Sequence, residues 1–168
     1  MNDMTSEPRI VTREEQPYVG LPLTVTMSSL PQAIDSTFRR IFAWLGERGI
    51  ALAGPAFLRF LVIDMEADLE IELAVPVQAG IEGDEQIRAG VLPGGRYVSL
   101  LHTGPYDQLI AANKALQDWA EQQSVSFDSW DTGHGSGWRS RFESYITDPS
   151  TEPDPSKWQT EVAYLIRE

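Results

Sequence analysis

Glu143 and Tyr145 stand two residues apart in Trp138-Arg-Ser-Arg-Phe-Glu-Ser-Tyr-Ile146, and an acid beside a phenol is the pair in this chain best suited to chemistry. Strand alternation places Trp138, Ser140, Phe142, Ser144 and Ile146 on one face and Arg139, Arg141, Glu143 and Tyr145 on the other. If the first face packs under a helix, Glu143 and Tyr145 point into a groove. A carboxylate there, walled by rings, attracts an organic cation through its charge and through ring faces, each ring contact contributing about 0.5–2 kcal/mol. On a solvated face the same carboxylate instead pairs with Arg139 or Arg141, an interaction worth little. The strand alone leaves both readings open.

Other templates for chemistry are weaker. His102-Thr-Gly-Pro-Tyr106 lies where a strand ends and a helix begins, and it reads as a turn with Tyr106 packed over it. The chain has two histidines, His102 and His134, without regular spacing to carboxylates, so no metal site is expected. It has no cysteine, which excludes disulfides and thiol catalysis and suits a cytoplasmic setting. Phosphate-cradling glycine loops, a nucleophile elbow and a dinucleotide fingerprint are missing, so no cofactor is expected. Among the five tryptophans, Trp44 and Trp119 are placed at helix–sheet contacts, while Trp130 and Trp138 are the candidates for lining a pocket.

The elements that must position these residues come in two similar sets. Arg9 to Thr12 and Tyr18 to Met27 read as extended. Pro31 opens a helix with Ile34, Phe38, Ile41, Phe42 and Leu45 on one side, and Gly49 stops it. Strands at Phe57 to Asp64 and Leu69 to Val77 follow, joined by the turn Met65 to Asp68. The second half repeats the order: strands at Ile87 to Leu92 and Arg96 to Thr103, a helix opened by Pro105 with Leu109, Ala112, Leu116, Trp119 and Ala120 inward, and strands at Trp138 to Thr147 and Thr160 to Arg167. Glu72-Leu-Ala-Val-Pro-Val echoes Glu161-Val-Ala-Tyr-Leu-Ile. The expectation is an α+β fold of two pseudo-symmetric β-α-β-β units, residues 8–77 and 86–167, in one domain over 8–168 after a short tail, 1–7. Each helix covers one face of its sheet, and the opposite faces curve towards a central ligand cleft. Asp128 to Gly137, with three glycines, reads as a flexible lid, and Asp148 to Lys157 as a Pro- and Asp-rich excursion.

Composition narrows the partners. Of the 168 residues 42% are hydrophobic and 23% charged, as in an ordinary globular chain with a real core. Thirteen basic residues against 25 acidic ones leave a net charge of −12, which disfavours nucleic acid and anionic membranes and suits cations or a basic protein partner. No apolar run approaches the ~18 residues of a spanning helix, and the first seven residues carry no secretory pattern.

His102-Thr-Gly-Pro-Tyr106, a helix ending near Trp119, Phe142-Glu-Ser-Tyr-Ile-Thr-Asp-Pro149 and Trp158-Gln-Thr-Glu-Val162 together resemble the GyrI-like small-molecule-binding domain. This is the effector-binding domain, with a SOUL-like fold, of multidrug-responsive regulators of the AraC and MerR classes. The resemblance runs from about Pro8 to Ile166. It implies a pseudo-symmetric fold around a cleft, with Glu143 contacting cationic lipophilic ligands and Tyr145, Trp138 and Tyr97 as aromatic counterparts. It also implies two alternatives: hydrolysis of cyclopropane-containing toxic compounds with Glu143 activating water and Tyr145 assisting, or inhibition of DNA gyrase through an acidic surface. No DNA-binding domain precedes Pro8, so a stand-alone module is expected. Arg139 or Arg141 near Glu143 could neutralise it, weakening a preference for cations.

Overall fold

The computed structural model describes residues 5–64 and 66–168; Met65, in the expected turn before Asp68, and residues 1–4 of the expected tail lie outside them. Ten strands and two long helices follow the chain in the order β1 (Arg9–Arg13), β2 (Gln16–Val25), α1 (Leu30–Arg48), β3 (Phe57–Ile63), β4 (Leu69–Pro76), β5 (Arg88–Leu92), β6 (Gly95–Thr103), α2 (Leu109–Gln122), β7 (Ser129–Asp131), β8 (Ser136–Trp138), β9 (Arg141–Tyr145) and β10 (Gln159–Leu165). The fold is α+β. All strands join one curled antiparallel sheet in the order β1-β6-β10-β9-β3-β4-β2-β5, with β7 and β8 attached as a hairpin at the end of β3.

Local chemistry explains the boundaries. Pro31 sits in the first turn of α1, where its missing N–H costs nothing, and Gly49 ends the helix at φ 64° so that its N–H and that of Ile50 return to the Gly46 and Leu45 carbonyls. On β2, Gly20 faces Ala74 of β4; a Cβ there would lie 2.4 Å from the Leu73 carbonyl oxygen, so only glycine permits this approach of the two backbones.

Both helices lie on the same face of the sheet. α1 packs Ile41, Trp44 and Leu45 onto Val19, Leu58, Leu69, Ile71, Leu73 and Val75. α2 packs Leu109, Ala112 and Leu116 onto Val98, Leu100, Val162 and Tyr164. The other face carries its own core of Tyr18, Phe57, Tyr97, Phe142, Leu92 and Leu165, with rings meeting edge-on from Tyr18 to Phe57, Phe142 and Tyr97 at 5.3, 5.8 and 5.7 Å. Polar groups on this second face pair with one another: the Tyr18 hydroxyl donates to Glu72 at 2.5 Å, and Glu161 accepts from Ser99 at 2.6 Å and pairs with Arg13, while Arg13 Nε and Arg59 Nε stay without a partner.

This corrects the expected cleft. The groove is not made by sheet faces turned away from the helices. It runs between α1, over β2 and β4, and α2, over β6 and β10, with β9 and β3 as its floor. Two segments also differ. Asp128 to Gly137 is no lid but the β7–β8 hairpin, closed by a Thr132–Gly135 turn and paired to Val62 and Ile63. Thr5 and Ser6, in the expected short tail, are held on β6: Ser6 exchanges hydrogen bonds with Leu101 at 2.8 Å, and Thr5 bonds His102 Nδ1 at 3.0 Å.

Candidate functional site

Glu143 lies at the centre of the groove floor, opposite Val162 on β10 and Leu58 on β3, and is only 8% exposed. Its Oε2 accepts from Asn113 Nδ2 of α2 at 3.0 Å. Asn113 Oδ1 in turn accepts from the Tyr164 hydroxyl at 2.6 Å, and Gln117, one helical turn further on, donates to that hydroxyl at 2.9 Å. The helical repeat thus lines up Asn113 and Gln117 along the inner edge of α2 as a polar chain ending on the carboxylate. Tyr145 completes the setting, its phenol interacting with the Glu143 carboxyl.

Beside this acid, Tyr145 joins a cluster of aromatic rings drawn from four elements. Tyr145 meets Phe38 of α1 at 6.2 Å and 85°, and Tyr106, before α2, at 5.4 Å. Tyr106 stacks on Trp158 at 4.8 Å, and Phe38 leans on Phe42 at 6.0 Å. Phe42, expected on the inner side of α1, is half exposed at the rim of the groove. Two surface hollows lie elsewhere: one of about 380 Å³ between Thr5–Pro8 and Ala111 and Ala115, and one of about 280 Å³ beside Pro22, Leu61 and Glu70. Neither is lined by Glu143.

Burial pushes the Glu143 carboxyl above the usual carboxylate range, while Asn113, the Arg141 charge and Tyr145 pull it back. Burial likewise drives the Tyr145 phenol well up, and the Glu143 charge adds to the rise. The folded chain therefore holds the Glu143 proton more tightly than the unfolded one. Below the ordinary carboxylate range both states are protonated and the residue contributes nothing pH-dependent; as pH rises from there through the raised folded value, stability is lost. Glu143→Gln is expected to gain stability relative to the wild type as pH is raised from 4 to 8 in urea unfolding. A stability difference that stays constant over that range would contradict the raised value.

The sequence-derived candidates do not all converge here. Glu143 and Tyr145 share the groove. Trp138 lies on the same side but further along, packed with Phe127 and Tyr164 at 6.1 and 5.3 Å. Tyr97 is on the opposite face of the sheet, 0% exposed, its hydroxyl donating to the Pro93 carbonyl at 2.5 Å and bonded to Ser140 at 2.7 Å. Trp130 is exposed on β7, outside the groove. Asn113, Phe38, Tyr106 and Trp158 belong to the site and were not among the candidates; they come from separate elements brought together only by the fold. Among the described residues no cluster of His, Cys, Asp or Glu is arranged to hold a metal.

A curled antiparallel sheet with two helices on one face and a buried acid between them defines a small α+β domain built around an inter-helix cleft. The chain belongs to the GyrI-like family: the GyrI-like small molecule binding domain matches residues 6–166. None of the curated proteins is similar enough to count as a match. Among solved structures, the EcmrR C-terminal domain is 20% identical over 96% of this chain and 97% of that one, with a TM-score of 0.77. In the complex of EcmrR with DNA the similarity covers 98% of this chain but only 58% of that one, at 22% identity and a TM-score of 0.76. A hydrolase from Listeria innocua is 14% identical over 96% and 92% of the two chains, TM-score 0.63. SAV2435, solved bound to tetraphenylphosphonium, is 12% identical over 96% and 94%, TM-score 0.59. No helix in the described residues is long and apolar enough to cross a membrane.

Proposed function

We propose that this chain is a sensing or sequestering module that binds a hydrophobic, cationic ligand between α1 and α2 with Glu143 as the charged contact. The observation that carries this reading is the burial of an acid among Tyr145, Tyr106, Phe38 and Trp158, with Asn113 fixing its orientation. A buried carboxylate is retained at a stability penalty, and an organic cation seated on it gains both the charge interaction and the ring faces. The two β-α-β-β halves act unequally in this proposal: the second supplies Glu143, whereas the β3 position opposite it is Leu58. A net charge of −12 steers cations towards the molecule. The tetraphenylphosphonium complex of SAV2435 supplies the probe. Calorimetric titration of the wild type with tetraphenylphosphonium is expected to show one saturable site; no heat and no quenching of tryptophan fluorescence would reject the proposal.

A second reading, hydrolysis, is favoured by one feature, a carboxyl that holds its proton tightly beside a tyrosine hydroxyl. It also has a neighbour of similar fold described as a hydrolase. Turnover of strained-ring compounds, followed by mass spectrometry, separates it from binding alone.

A further inference from the structure

The groove already holds a cation of its own. Arg141, two residues before Glu143 on β9, sends its guanidinium not to solvent but between three rings, 4.3 Å from the centre of Tyr164, 4.6 Å from Trp138 and 5.3 Å from Phe60. These rings come from β10, β8 and β3, so the cage is assembled around β9 by its two neighbours, β10 and β3, and by the hairpin strand β8. All three lie within the roughly 6 Å at which a cation feels a ring face. Arg141 Nε is buried without a hydrogen-bond partner, so the rings and the nearby Glu143 charge are what compensate the guanidinium for leaving water. Arg139, the other arginine of this segment, is exposed and faces Asp128 at 4.0 Å, so it does not share the role.

We infer that Arg141 is a specificity-determining residue, a caged internal counter-charge that makes the Glu143 site accept neutral and cationic aromatic compounds nearly alike. This rests on the binding function proposed above. Side chains two residues apart on a strand are about 7 Å apart along it. A ligand cation on Glu143 therefore meets the repulsion of Arg141 at close range, in surroundings where water screens little. Arg141 offsets a large part of the carboxylate's attraction, so the ring surface, which does not distinguish charge, carries more of the affinity and the advantage of a cation over a neutral ring compound shrinks. The ligand class is then a flat or propeller-shaped aromatic molecule with zero or one positive charge, not a polycation.

The test uses a matched pair, methyltriphenylphosphonium and the neutral triphenylphosphine oxide, titrated against wild type, Arg141→Met, Arg141→Gln, Arg141→Lys and Glu143→Gln. Wild type is expected to bind the two compounds within about threefold of each other, and a preference for the cation above about thirtyfold in the wild type alone overturns the inference, whether or not the variants fold. Arg141→Met keeps the cage filled without charge and is expected to favour the cation by about tenfold or more, as is Arg141→Gln, while Arg141→Lys stays close to wild type. A cation-to-neutral ratio unchanged in both neutral variants overturns the role of Arg141. If Glu143→Gln still weakens the cation in that case, the binding site itself stands. Failure of both compounds to bind any of the proteins overturns the binding function and this inference together.

Discussion

Replacing Glu143 by Gln lowers the affinity for tetraphenylphosphonium by about 10- to 100-fold, a loss of roughly 1.4–2.7 kcal/mol. The size follows from where the carboxylate sits. Its hydrogen-bond donor is the Asn113 amide, which can bond a glutamine side chain as well, so the change removes charge while leaving shape and that hydrogen bond nearly intact. Burial keeps the lost interaction from being screened, so the effect persists at high salt, unlike that of a surface charge. The ring contacts of Tyr145, Tyr106 and Trp158 survive, which prevents a complete loss. Calorimetry of both proteins in low and high salt measures this, and equal affinities would remove Glu143 from the site.

Leu116→Ala destabilises the domain by about 2–5 kcal/mol. Leu116 is 0% exposed and lies under α2 against Val98, Leu100 and Val162. The rest of the helix's buried side is Ala112, Ala120 and Leu109, so two leucines supply most of its apolar anchorage. A total stability of roughly 5–15 kcal/mol leaves little margin for such a cavity. The same helix carries Asn113 and Gln117, so loosening it also frees the donor that orients Glu143. Urea unfolding measures the loss, with Ile110→Ala as the comparison: Ile110 is on the same helix but 68% exposed, and its truncation changes stability little. A loss below about 1 kcal/mol for Leu116→Ala would show that α2 is anchored elsewhere.

The two helices and most strands were legible from sequence because they carry strong local signals, whereas the short β7–β8 hairpin, read as a loop, carries none. Pro31 and Gly49 bracket α1, Leu109, Ala112 and Leu116 mark the buried side of α2, and alternation marks β2, β6 and β10. Which face of the sheet the helices cover was not legible. Both faces are apolar here: Phe142 packs with Phe57 and Tyr97 on one, while Val162 and Leu58 flank Glu143 on the other. A period of two separates the faces without saying which one meets a helix. The alternation also fails between β8 and β9. Ser140 bonds Tyr97 on the face away from the helices, as expected of Phe142's neighbour two residues back, but Trp138 lies beside Arg141 on the helix side. The chain leaves strand geometry at Arg139 and Ser140, and this reverses Trp138. Tyr97 was assigned to the cleft by position along the chain, and β6 turns it the other way, with Val98 and Leu100 facing α2 instead. Asn113, Tyr106, Phe38 and Trp158 are far apart in sequence, and nothing local marks them as neighbours of Glu143.

The location of a bound ligand tests the central claim most directly. A crystal structure of the wild-type complex with tetraphenylphosphonium is expected to place the phosphonium against Glu143 between α1 and α2, with Tyr145 and Tyr106 moved aside. The cation seated instead in the hollow between Thr5–Pro8 and α2, or on the far face of the sheet beside Tyr97, would contradict the account.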